Sequence, residues 1–156
     1  MSKPVAIGSD EAGYRLKGIV IEVLAQEGLE VTDFGCHSED PIDYPDVAFE
    51  VAGAVADGRH DRAILICGTG IGMAIAANKV AGVRAAQAHD PYSAERARMS
   101  NDAQVLTLGA RVIGPELAKS IVRTWLHAEF AGGNSARKVD KIKAAERRPP
   151  RPESAP

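Results

Sequence analysis

The chain predicts an α/β protein: a three-layer α/β/α sandwich built on a doubly wound, five-stranded parallel sheet of Rossmann type. Two observations carry this. Short β-type runs alternate with amphipathic helical stretches from one end to the other, the pattern of a parallel sheet covered by crossover helices. One run, "RAILIC" at 62–67, is almost unbroken in its apolar character, as a strand buried on both faces requires.

"VAIGS" (5–9) reads as the first strand, after which Leu16, Ile19, Val20, Val23 and Leu24 recur at helical spacing up to Gly28. "LEVTDF" (29–34) is the second strand. The turn-rich "GCHSEDPIDYP" leads to a helix from about Pro45, with Val47, Val51 and Val55 on one face. "RAILIC" is the third strand, and the next helix opens in the glycine loop that follows it. "VRAAQA" (83–88) gives the fourth strand, a helix starts near Pro91, "QVLTLG" (104–109) gives the fifth strand, and "PELAKSIVRTWLHAEF" (115–130) a long helix. "GGNS" then interrupts the chain. Val139, Ile142 and Ala145 give a last short helix so narrow an apolar edge that it is expected to pack outside its own domain, on a second copy of the chain. Residues 1–133 therefore read as the α/β domain, 134–147 as an arm and 148–156 as a tail that cannot form a core.

At 156 residues, with 45% hydrophobic and 26% charged, the chain fits one ordinary globular domain. No apolar run approaches the ~20 residues of a membrane span, and the N-terminus lacks the pattern of a secretion signal, so a cytoplasmic protein is expected. Cys36 and Cys67 make no disulfide framework. The formal charge of −2 divides unevenly: residues 137–156 hold seven Lys/Arg against three Asp/Glu. Such a basic arm suits an anionic small molecule or an acidic neighbouring subunit; the acidic body and the absence of a basic surface motif with aromatics argue against nucleic acid.

Ligands of an open parallel sheet bind beyond the carboxyl ends of its strands. There the chain reads "SDEAG", "GCHSED", "CGTGIG", "HDPYS" and "GARVIG". Gly68, Gly70 and Gly72 let backbone amides approach an anion, either a phosphate or the negative oxygen of a reaction intermediate. Cys67 alone reads as a packed strand-end thiol. Placed before a helix N-terminus, it faces positive partial charges that favour a thiolate, as a base or nucleophile needs. Cys36 lacks that setting and reads as structural. A dinucleotide fingerprint is the runner-up, but the spacing is G-x-G-x-G and the loop follows the third strand, with Asp90 about twenty residues on. No Gly-Lys-Ser/Thr makes a Walker loop. The four histidines show no metal-ligand spacing, and His60 and His127 read as surface residues.

"GSDEAGYRLK", "DYPDVA", "ICGTGIGMAIAANK", "PYSAERARMSNDAQVLTLGARVIG" and "GGNSARKV", in this order from residue 4 to about 147, resemble the family of ribose-5-phosphate isomerase B and galactose-6-phosphate isomerase. The resemblance implies a dimer, or a tetramer of paired dimers, whose active sites draw on two subunits. It implies no cofactor and no metal, and an aldose–ketose isomerisation of a sugar phosphate through an enediolate. Cys67 matches the family's base, and Thr69 the hydroxyl that moves protons between the two oxygens. The amides of Gly68, Thr69, Gly70, Ile71 and Gly72 match an oxyanion hole. Asp10, Tyr44 and Asn101 match sugar contacts and Arg111 a phosphate contact, while Arg137 and Lys138 would grip phosphate across the interface.

Three departures from the family pattern bear on the substrate. Glu11 and Ser100, both expected to contact the substrate, stand where the ribose-5-phosphate enzymes usually carry histidines, the second being the group thought to open the sugar ring, and Asn134 replaces a frequent arginine. A tetrose 4-phosphate cannot close a furanose ring, because its O4 carries the phosphate. D-erythrulose 4-phosphate is therefore the expected substrate and D-erythrose 4-phosphate the product. D-ribose 5-phosphate, with His89 substituting as the ring opener, is the alternative, followed by a hexose phosphate and a non-catalytic nucleotide-binding module.

Overall fold

The computed structural model describes residues 3–154. Among them five parallel strands, β1 (Val5–Ser9), β2 (Val31–Asp33), β3 (Ala63–Cys67), β4 (Ala85–Gln87) and β5 (Val105–Gly109), form one sheet in the order β2-β1-β3-β5-β4. The helices are α1 (Tyr14–Gln26), α2 (Tyr44–Ala56), α3 (Ile71–Ala77), α4 (Pro91–Met99), α5 (Pro115–His127) and α6 (Asn134–Ala145). The predicted sandwich is what forms.

The central strands β1, β3 and β5 are buried along their whole length, as apolar runs covered on both sides must be. Edge strands β2 and β4 keep only three residues each, shorter than the runs read in the sequence, because at a sheet edge only one neighbour supplies hydrogen bonds. One face packs α1, α4 and α5 around Ile7, Leu24, Ile64, Leu106 and Trp125. The other packs α2 and α3 around Ala6, Val51, Leu65 and Met73. Gly8 lets α2 close onto the sheet, since a Cβ there would lie 2.5 Å from Val47 Cγ1. Helix α1 stops at Gly28, whose φ of 74° turns the chain so that Leu29 N–H bonds the Leu24 carbonyl.

Helix α6 uses part of its apolar edge within its own chain: Val139 is buried, while Ile142 stays exposed. The Glu146 carboxylate, one residue beyond it, accepts from Gly82 N–H at 2.9 Å. Residues 148–154 form neither helix nor strand, and 155–156, also part of the expected tail, lie outside the described residues. His60 corrects a sequence expectation. It is 7% exposed rather than on the surface, its Nδ1 lies 2.8 Å from the Pro4 carbonyl and its ring meets Phe34 edge-on, so the imidazole fills a gap and satisfies a backbone group at once. His127 is exposed as expected, with Nε2 2.7 Å from Glu27.

Candidate active site

Strand order decides which loops meet. The chain leaves β1 for β2 on one side and then crosses to β3 on the other, making a switch point between β1 and β3, and β5 inserts beside β3. With Ser9 paired to Ile66 and Cys67 to Gly109, the three central strands end level. Their following loops form one open cleft lined by Asp10, Tyr44, Cys67, Gly68, Thr69, Ile71, Gly72, Ile75 and Arg111.

Cys67, 4% exposed, sits at the end of β3, and the Gly70 N–H donates to its Sγ at 3.1 Å. This contact needs the loop's left-handed turn: Gly70 has φ 75°, and a Cβ there would lie 2.9 Å from the Leu108 carbonyl carbon. Thr107 Oγ1, buried inside β5, donates to the Gly70 carbonyl at 2.8 Å, and Gln87 Nε2 donates to the Thr69 carbonyl at 2.6 Å. The loop is thus held from β4 and β5 together. Thr69 Oγ1 accepts from Ile71 N–H at 3.2 Å. Beyond β5, Ala110 N–H bonds the Cys67 carbonyl and Arg111 N–H the Gly68 carbonyl, which lays the Arg111 side chain over Gly68. The Arg111 guanidinium is exposed and makes no hydrogen bond or ion pair among the described residues, leaving its charge available to an anion.

Asp10 caps the short 3-10 turn Glu11–Gly13, accepting from Gly13 N–H at 3.1 Å. Burial pushes its carboxyl up from the ordinary value, opposed by Gly13 N–H and by the nearby Arg111. Glu11 is pulled down, chiefly because its Oε2 accepts from Ile42 N–H at 3.1 Å. Tyr44 opens α2 and faces Gly72, whose Cβ, if present, would lie 2.5 Å from the ring. His89 presents Nε2 to Gly109 N–H at 2.9 Å, and burial holds its pKa below the ordinary value.

Of the expected site residues, Asp10, Tyr44, Cys67, Gly68, Thr69, Ile71, Gly72 and Arg111 line this one cleft, Gly70 bonds the thiol, and Glu11 adjoins Asp10. Ser100, Asn101, Arg137 and Lys138 do not line it. Ser100 ends α4, where its Oγ accepts from Arg96 at 3.1 and 2.7 Å. Asn101 gives its backbone carbonyl to Arg84, and Arg137 and Lys138 are exposed on α6. Sequence reasoning missed Thr107, Gln87 and Ile75. Only Thr107 left a signal, a lone hydroxyl inside the buried run "QVLTLG". No group of three or more His, Cys, Asp or Glu among the described residues is placed to hold a metal ion. No helix among them is long and apolar enough to cross a membrane.

A thiol, a hydroxyl and a carboxylate around one cleft, with a free guanidinium at its side, are the parts of an enzyme that moves protons on a small anionic substrate. Residues 5–142 match the family described as Ribose/Galactose Isomerase, and the chain belongs to that family of sugar-phosphate isomerases. It is 61% identical over 140 residues to the D-erythrulose-4-phosphate isomerase of Pectobacterium atrosepticum, covering 88% of this chain and 91% of that one. Identity is 57% over 136 residues to the ribose-5-P isomerase B of Listeria innocua, covering 87% and 92%. The solved structure of Clostridium thermocellum ribose-5-phosphate isomerase B superposes with a TM-score of 0.90 at 51% identity, covering 92% of this chain and 97% of that one.

Proposed function

We propose that this enzyme interconverts D-erythrulose 4-phosphate and D-erythrose 4-phosphate with no cofactor. Cys67, as thiolate, takes a proton from C1 of the ketose. The C1–C2 enediolate forms, and the proton returns from sulfur to C2 to give the aldose. Thr69 passes the hydroxyl proton from O1 to O2, the amides of the glycine loop face the enediolate oxygen, and Arg111 holds the phosphate so that the carbonyl end meets the thiol. Asp10 and Tyr44 contact the sugar hydroxyls.

The observation that carries the substrate is that no imidazole lines the cleft among the described residues. Glu11 and Ser100 occupy the two positions expected to hold histidines in the ribose-5-phosphate enzymes. His89 is no substitute: its Nε2 lone pair is occupied by Gly109 N–H, and the ring does not line the cleft. Without an acid to open a furanose, an open-chain tetrose is the substrate the site suits. The Pectobacterium relative, named for that tetrose, supports the reading. Ribose 5-phosphate is the second reading, supported by the names of the Listeria and Clostridium relatives.

The active form in this reading is a cytoplasmic homodimer. Exposed Ile71 and Ile75 at the cleft rim suit a subunit contact, and Ser100, Asn101, Arg137 and Lys138, which their own cleft does not use, would complete the partner's. Turnover of the purified protein on D-erythrulose 4-phosphate and on D-ribose 5-phosphate, each beside Cys67→Ala, tests it. Faster conversion of the tetrose is expected; faster conversion of the pentose overturns the substrate, and full activity of Cys67→Ala overturns the base.

A further inference from the structure

The segment from Phe34 to Asp43 joins β2 to α2 without helix or strand. Its first residues are fixed by backbone pairing: Cys36 N–H bonds the Ser9 carbonyl at 2.7 Å, and buried Lys17 donates to the Cys36 carbonyl. Farther along, the fixings thin. Ser38 and Asp40 bond each other, and Arg15 meets Glu39 at 2.6 Å between side chains 85% and 56% exposed, a pair worth little in water. The last attachment before α2 is Ile42 N–H on Glu11 Oε2. Two residues beyond stands Tyr44, the cleft wall, with its ring in the space that Gly72 leaves open.

We propose that Glu11 is a positioning residue: its carboxylate pins the Ile42 backbone and so fixes the Tyr44 ring against Gly72 for the isomerisation. The proposal rests on the functional reading above. It gives Glu11 a different part from the substrate contact expected from the sequence. A carboxylate beside Asp10 is a poor partner for a dianionic phosphate, and the main influence on Glu11 is the Ile42 amide. Glu11 lies at the turn directly after β1, a rigid mount, whereas Ile42 ends an irregular segment, so the bond transfers order from the sheet to the cleft wall.

The test compares Glu11→Ala with Glu11→Gln, which keeps a side-chain carbonyl acceptor. Glu11→Ala is expected to raise KM for the sugar phosphate about tenfold, with kcat changed less than about threefold, as looser binding geometry predicts. It should speed hydrogen exchange of the Ile42 amide and shift the Tyr44 ring resonances. Glu11→Gln should recover most of each effect. Equal damage from both variants, with Ile42 exchange unchanged, would show the charge acting on substrate directly and overturn the proposal. Faster Ile42 exchange with unaltered KM would overturn it too. Should the parent enzyme turn over neither sugar phosphate, the isomerase reading fails. Ile42 exchange and the Tyr44 resonances then decide the tether on their own: both altered in Glu11→Ala and restored in Glu11→Gln supports it, and anything less overturns it.

Discussion

At the carboxyl ends of the strands Arg111 stands exposed with its guanidinium unpaired among the described residues. At the amino ends Arg62, with a side chain 3% exposed, spends its guanidinium on the carbonyls of Trp125, Leu126 and Ala128 and on the Glu129 carboxylate. Arg84 does the same for the carbonyls of Asn101 and Asp102, and Arg98 for that of Ala103. One residue type serves two purposes. Where α5 ends, its last carbonyls have no helical partner, and a buried fork of donors satisfies several at once. Where β3 and β5 end, the chain turns through glycines, leaving the Arg111 charge exposed and the buried Cys67 thiol in the cleft wall. The partnered cations hold backbone carbonyls in place, and unpartnered Arg111 is the one proposed to take the substrate's phosphate.

If this division is right, substitutions at the two ends separate activity from stability. The largest effect is expected for Cys67→Ala, which removes the proposed base and should lower kcat about 10³-fold, within the span of general-base contributions. Melting should change only modestly, and full turnover would make the thiol packing filler. Arg62→Met should cost about 3 kcal/mol in chemical unfolding, because several carbonyls and Glu129 lose a buried partner. Turnover per folded molecule should be preserved. Arg111→Gln should raise KM for a sugar phosphate about 10- to 100-fold through loss of a charge-assisted contact, with unfolding unchanged within about 0.5 kcal/mol as for an exposed side chain. A stability loss at Arg111 equal to that at Arg62 would erase the distinction between the ends.

The sequence foretold the fold through local pattern. The apolar runs of β1, β3 and β5, the helical spacing in α1 and α2, and the glycine loop needed only neighbours along the chain to be read. Strand order was beyond such reading: β5 lies between β3 and β4, and nothing within "VRAAQA" or "QVLTLG" says which joins β3. The same limit explains the site. Cys67, Thr69 and the glycines stand together in sequence. Thr107 and Gln87 reach the loop from 37 and 18 residues away through the sheet register, which local spacing does not encode. His60 was misplaced for a related reason. A histidine between charged neighbours looks exposed until Pro4 and Phe34 arrive from elsewhere in the chain.

The smallest expected effect lies at the cleft's support. His89 Nε2 must carry a lone pair to accept Gly109 N–H, so the neutral ring fits and the imidazolium does not. Burial lowers its pKa from 6.5, outweighing the pull of Asp90, the charge that faces it. The unfolded chain therefore takes up a proton, from about pH 6.5 downward, that the folded chain resists. By linkage this share of the stability is complete above that pH and is lost as pH falls toward the folded midpoint. Gly109 ends the strand that leads into the turn carrying Arg111, so KM should rise only lower still, as pH falls through the folded midpoint itself. In His89→Gln, which keeps an acceptor, the decline in melting temperature between pH 7.5 and 5.5 should be shallower than in the parent. An identical decline would assign the acid sensitivity to other groups and leave the support of Arg111 independent of the imidazole.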